Sequence, residues 1–122
     1  MIGAEGIFAP FSYHDDNDNL VGYDVEVSEA LAKELGVKVK FVEVKWYSLI
    51  AGLDSDKYDL VTNQVAITAE RKKKYDFSIP HTYSYPAIIT KKDNTEITKM
   101  SDIKGHKFSQ TGHGLSMTFM HL

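Results

Sequence analysis

The amino-acid sequence predicts an α/β fold built on a central, mostly parallel sheet. Two observations carry the prediction: β-branched runs alternate with stretches of helical spacing, and over the first part of the chain they follow the order β, α, β, α, β. Strands that alternate with short helices imply βαβ crossovers and so parallel pairing. Ile2 to Ala4 reads as the end of a strand, and its shortness suggests a strand that begins upstream. Phe8 to His14 is aromatic-rich and interrupted by Pro10, and the turn formers DDNDN at 15 to 19 separate it from a second short run, Leu20 to Tyr23. That pattern predicts a hairpin or a wide turn. Asp24 stands where an N-cap is wanted, Val27, Ala30, Leu31 and Leu35 recur at helical spacing, and Gly36 supplies the stop.

VKVKFVEV at 37 to 44 alternates apolar with charged residues, the pattern of a strand with one covered face. Trp46 sits just past its end. Leu49, Ile50 and Leu53 predict a short helix, Tyr58 to Val65 a buried strand, and Thr68 a cap for a brief helix carrying ERKKK. After Pro80 the run Ser84 to Lys92 reads as one long strand. Beyond the polar KKDNTE the chain restarts with a short helix near Met100 to Ile103 and a strand from Lys107 to Gln110. The division expected is a first α/β lobe over residues 1–90 and the start of a second over 91–122.

Composition narrows the function classes. At 122 residues, 43% hydrophobic and 25% charged, the chain is ordinary globular material with room for one modest core. Fourteen Lys and Arg against 17 Asp and Glu leave no basic excess to follow a phosphate backbone, so no nucleic-acid partner is expected. No window of about 18 apolar residues exists, and MIGAEGIFAP lacks a basic segment ahead of an apolar one, so an exported form would have lost its signal. Zero cysteines exclude a disulfide framework and a thiolate metal site without choosing a compartment. Asp15, Asn17, Asn19 and Glu26 approach calcium-loop spacing, but Leu20 occupies the position where such a loop needs Gly. His106, His113 and His121 have no carboxylate or thiol at metal spacing. No metal and no cofactor is expected, and neither a nucleophile with its base nor a glycine-rich phosphate loop appears.

The stretch VAITAERKKKYDFSIP at 65 to 80 is the most informative. Lys72, Lys73 and Lys74 read as a solvated face. Arg71 is different. A strand that ends near Val65 and a helix that opens at Thr68 would put backbone N–H groups at the carboxyl edge of the sheet, where α/β folds bind ligands and helix starts attract anions. An arginine there offers a planar two-pronged donor suited to a carboxylate, and Ala66 and Ala69 leave room for close approach. The same residues also read as a Thr cap followed by a surface Arg. Phe8, Phe11, Tyr13, Trp46 and Tyr47 fall in loops or at strand ends, where a core role is less automatic.

Residues 5 to 111 resemble the polar amino-acid-binding proteins of ABC importers, the solute-binding proteins of family 3, and within them the cystine-binding branch. The resemblance rests on EGIFAPFSYHD, LVGYDVEVSEALAKELGVKVKFVEVKW, IAGLDSDKYDLVTNQVAIT, ERKKKYDFSIPHTYS, KKDNTEI and SDIKGHKFSQT, in that order. It implies a periplasmic-binding-protein-like type II lobe, with the second lobe incomplete. It implies a non-enzymatic, extracytoplasmic receptor, periplasmic or a cell-surface lipoprotein, whose partners are a small-molecule amino acid and, in the full-length form, an ABC permease. By the same resemblance Arg71 clamps the ligand α-carboxylate, the Ala66 N–H meets it too, and Thr68 lies in the same turn. Gln64 lends a backbone carbonyl to the α-ammonium, Phe8 and Trp46 hold the ligand side chain, Glu5 faces the cleft, and Thr111 opens the second-lobe ligand loop.

The chain departs from the family pattern at GHGLSMTFMHL, 112 to 122, and the acidic residue that grips the α-ammonium from the second lobe has no counterpart. One lobe leaves half the ligand wet, which weakens each charged contact. Uncovered sheet edges predict a homodimer or a domain-swapped oligomer. Two other readings compete: a dehydratase on the same fold with Glu5 as general acid, and a truncated fragment without ligand function, held by self-association.

Overall fold

The computed structural model describes residues 1–85 and 87–107. The predicted strand beyond Lys107, Thr111 and the divergent tail lie outside the described residues. In chain order the elements are β1 (Ile2–Ala4), β2 (Ile7–Phe8), β3 (Ser12–His14), β4 (Leu20–Val21), α1 (Tyr23–Glu34), β5 (Phe41–Glu43), α2 (Trp46–Asp54) and β6 (Leu60–Val61), followed by two 3₁₀ helices at Arg71–Lys73 and Met100–Ile103. They fall into two units, Met1–Val65 and the residues from Ala66 onward.

In the first unit β1 is the middle strand of a parallel sheet ordered β5-β1-β6, with Ile2 opposite both Phe41 and Leu60. The α/β class and the parallel pairing are as the sequence predicts. The strands are shorter than predicted, and the cause is β1 itself. Three residues can hold only three opposite them, so of 37–44 only Phe41–Glu43 pairs fully, extended by Ile2 N–H to Lys40 O and Val44 N–H to Ala4 O. Of 58–65 only Leu60–Val61 is strand, flanked by Asp59 N–H to Met1 O and Thr62 N–H to Gly3 O. The predicted hairpin is a three-stranded antiparallel meander, β2-β3-β4. Its distal turn is tied by the Asp15 carboxylate, which accepts from the Asn17 and Asn19 backbone N–H groups and the Asn19 amide.

Helix α1 forms where expected but is capped and faced differently. The N-cap is Gly22 rather than Asp24, and the carbonyls of Pro10 and Phe11 take the Tyr23 and Asp24 N–H groups in place of a side-chain cap. Asp24 is buried inside the first turn. The covered face is Val25, Ser28 and Ala32, while Ala30, Leu31 and Leu35 are exposed, Leu35 by 66%. Small side chains explain the choice: Ser28 lets α1 approach closely enough for its Oγ to meet Thr62 Oγ1 at 3.0 Å. Gly36 ends the helix as predicted, in the left-handed conformation at φ 68°.

Helix α2 packs on β1 and β6 and begins at Trp46, three residues before the predicted apolar run. Leu49 is fully buried there, which stabilises the fold by about 2 kcal/mol. Tyr58, 2% exposed, lies between the two layers. Its hydroxyl donates to Leu49 O, and its ring occupies the space a side chain would need at Gly3, where a Cβ would stand 2.6 Å from Cε2, and at Gly52.

In the second unit the helix predicted at ERKKK is a single 3₁₀ turn, Arg71–Lys73, and Met100–Ile103 is helical as predicted, also 3₁₀. The long strand predicted over Ser84–Lys92 is not formed: its described residues are irregular, with Tyr85 and Ile89 exposed. A strand needs a ladder partner, and this backbone has none among the described residues.

Because Tyr58 fills both glycine positions, Gly52→Ala is expected to lower stability by about 1–3 kcal/mol through overpacking. Urea unfolding followed by far-UV circular dichroism measures it, and an unchanged midpoint would show that the ring can yield.

Candidate functional site

The carboxyl ends of the three parallel strands converge on one corner of the first unit, the edge at which α/β sheets place ligands. Glu5 follows β1, Trp46 follows β5, and Asn63 and Gln64 follow β6. Glu5 and Asn63 are both buried and bonded reciprocally: Glu5 N–H donates to Asn63 Oδ1 at 3.0 Å, and Asn63 Nδ2 donates to Glu5 Oε2 at 3.3 Å. The other carboxylate oxygen, Oε1, accepts the Trp46 N–H at 3.3 Å. Glu5 thus joins the exits of all three strands, and charge-assisted hydrogen bonds make the buried carboxylate tolerable.

Phe8 is in β2, partly exposed, with its ring 5.3 Å from that of Phe11, which meets Tyr23 edge-on. Gln64 has the left-handed φ of 50°, unusual for a side chain of its length, and both its backbone N–H and its side-chain amide donate to Asp24.

The second unit carries the basic segment. Thr68 Oγ1 accepts the Arg71 N–H at 3.2 Å and so braces the turn, but the N-cap of the 3₁₀ helix is Glu70 rather than Thr68, because the helix starts at Arg71, later than the sequence predicts. Arg71 is partly buried, and its Nη1 donates to the Ala66 carbonyl at 3.0 Å. Three residues of 3₁₀ helix align too few peptides for a useful macrodipole, so the expected helix-start attraction is not available and the positive charge comes from the guanidinium. Lys72, Lys73 and Lys74 are exposed, as predicted for a solvated face. The structure therefore brings together Glu5 and Trp46 in the first unit and Ala66, Thr68 and Arg71 in the second. Thr111 lies outside the described residues.

Three features escape sequence reading. Asp24 reads as a cap, yet it holds Gln64. Asn63 reads as part of an apolar strand, although TNQ at 62 to 64 is a polar interruption worth a question. His14 bridges two carboxylates, with Nε2 2.8 Å from Glu43 Oε2 and Nδ1 2.9 Å from Asp18 Oδ1. This fastens the meander that carries Phe8 to the edge strand β5. Glu43 lies over Gly6, where φ is 75° and a Cβ would collide with the carboxylate.

The family model of bacterial extracellular solute-binding proteins, family 3, matches residues 1–115, and the chain belongs to that family. Its sheet is accordingly that of a periplasmic-binding-protein-like fold. The L-cystine-binding protein TcyA of Bacillus subtilis is 50% identical over 111 residues, which cover 90% of this chain and 41% of TcyA. The L-cystine solute receptor of Neisseria gonorrhoeae, solved unliganded and open, is 51% identical with a TM-score of 0.57, covering 59% of this chain and 31% of that one. A mutant of the arginine-bound form of domain 1 from TmArgBP is 40% identical with a TM-score of 0.64, covering 66% of this chain and 63% of that one. The likeness to the cystine-binding branch thus holds. The chain spans about two fifths of the length of the curated relatives it matches, 41–44%.

The Glu43 hydrogen bond, followed by the Asp18 carbonyl, raises the His14 pKa above its usual 6.5. A raised pKa means the bridge contributes fully below 6.5 and is lost as pH climbs through the higher folded value. Thermal unfolding should therefore show a midpoint that falls between about pH 5.5 and about pH 8.5 in the parent but less so in His14→Gln. Equal slopes would assign the pH effect to other groups.

Proposed function

We propose that this chain supplies the first lobe of an amino-acid receptor for an ABC importer, and that it binds a polar amino acid, cystine or a relative, through the α-carboxylate. The observation that supports the reading best is the Arg71 guanidinium, held by its own loop through Ala66 O while Thr68 fixes the backbone beneath it. Such anchoring leaves little conformational freedom to lose on binding. In this reading Arg71 takes the carboxylate together with the Ala66 N–H, Thr68 shapes the turn, and the Gln64 carbonyl takes the ammonium. Phe8 and Trp46 hold the side chain, and Thr111 contributes from the following lobe. Glu5 orders the corner from within: both its oxygens accept hydrogen bonds, which suits a fixed carboxylate better than a dehydratase's general acid. The lobe boundary falls at 90/91, the full-length receptor works outside the cytoplasm and delivers to a permease, and no cofactor takes part.

That a lone lobe can hold ligand is supported by the domain 1 relative, whose structure is of an arginine-bound form. Calorimetry with L-cystine, L-arginine and L-glutamine tests the reading. At least one should bind, Arg71→Lys should weaken it by about 1–3 kcal/mol by losing the planar fork, and prephenate should not turn over. Flat traces for all three, or an indifferent Arg71→Lys, would refute it. Exposed Leu31, Leu35 and Val37 favour self-association, so the measured molar mass should exceed 13.8 kDa and approach it only on dilution.

A further inference from the structure

Among the described residues three non-glycine positions have positive φ, namely Asp18, Asp56 and Gln64. Asp18 and Asp56 are short polar residues that occupy turns, where this conformation is common. Gln64 lacks the short polar side chain that suits it, so something around it must enforce the geometry. Asp24 does so with both carboxylate oxygens: Oδ2 accepts the Gln64 backbone N–H at 3.0 Å and Oδ1 the side-chain amide at 2.6 Å.

Asp24 is itself immobilised. It is 1% exposed, its N–H donates to Phe11 O at 2.9 Å, and its carbonyl accepts the Ser28 hydroxyl at 2.6 Å. Ser28 also meets Thr62 Oγ1, so the start of α1 is stitched to the exit of β6 at two points. Rotating Gln64 from φ 50° to the ordinary value near about −60° would turn its peptide and redirect the carbonyl.

We propose that Asp24 is a positioning residue for ligand-ammonium recognition: by clasping Gln64 through main chain and side chain together, it aims the Gln64 carbonyl at the ammonium. This rests on the proposed role of Gln64 and extends it to a residue that is buried away from solvent. Asp24 acts through backbone geometry, so its loss should be harmless wherever that geometry is free.

A mutant cycle with L-cystine and L-arginine as probes tests it. Asp24→Asn should weaken binding about tenfold or more, whereas Gln64→Gly, which keeps the carbonyl and loses the amide bond, should weaken it less than Asp24→Asn does, because glycine adopts positive φ without strain. In the Gln64→Gly background, Asp24→Asn should cost less than about threefold, since Asn keeps one oxygen for the backbone N–H. Gln64→Ala, which lacks the amide but keeps the strain, should bind more weakly than Gln64→Gly, and this comparison stands even if Asp24→Asn fails to fold. Equal losses for Asp24→Asn in both backgrounds, no loss at all, or equal affinity of the Ala and Gly variants would overturn the proposal. If the parent binds neither probe, the receptor reading fails and the ammonium role with it. Amide NMR of the ligand-free chain then decides the clasp alone: protected Gln64 resonances should lose protection in Asp24→Asn, and unchanged ones would show that Asp24 does not hold Gln64.

Discussion

The buried carboxylate of Glu5 is the constraint on which the corner of this lobe depends. It follows a strand of three residues that supports a ladder on each side, and so short a strand cannot by itself fix where three loops go when they leave the sheet. Glu5 does this with one hydrogen bond to the chain leaving β5 and a reciprocal pair to the chain leaving β6. A buried carboxyl group persists only when its oxygens are satisfied, so the arrangement is close to all-or-none. Its partners cannot drift separately.

The fold class was legible in the sequence because it follows from the order of elements, and order survives errors of boundary. Helix α1 was legible in position, from the spacing of apolar residues and from Gly36, but not in orientation. Leucines dominate any reading of hydrophobic spacing, yet here the helix turns Ser28 and Ala32 inward because close approach to the sheet is worth more than burying Leu31 or Leu35. Strand lengths were illegible for a different reason. The β-branched runs at 37–44 and 58–65 declare a capacity to pair, and the amount of pairing is set by a partner far away in sequence. The described residues of the run at 84–92 make the same point without a ladder.

The residues of the candidate site divided along similar lines. Arg71 and Thr68 stood out because both signals are local: a hydroxyl that bonds a backbone N–H three residues on and a forked cation at that position. Asp24, Asn63 and His14 could not, since each acquires its meaning from a contact 40, 58 or 29 residues away. Resemblance to the family named candidate positions, and the structure adds the groups that hold several of them where they are. A spacing rule sees neighbours along the chain; a carboxylate that reaches across a domain leaves no such trace.

Gly6 ties two of these layers together. Its backbone runs directly beneath the Glu43 carboxylate, and no side chain fits there. Any heavier residue at this place would push the acid aside and release the imidazole it holds, so drift at a site one step from Glu5 would be felt as altered proton affinity on the neighbouring meander. Evolution is thereby denied a small, innocuous change at the rim of this corner: variation there has to arrive together with a new answer for the charge above it.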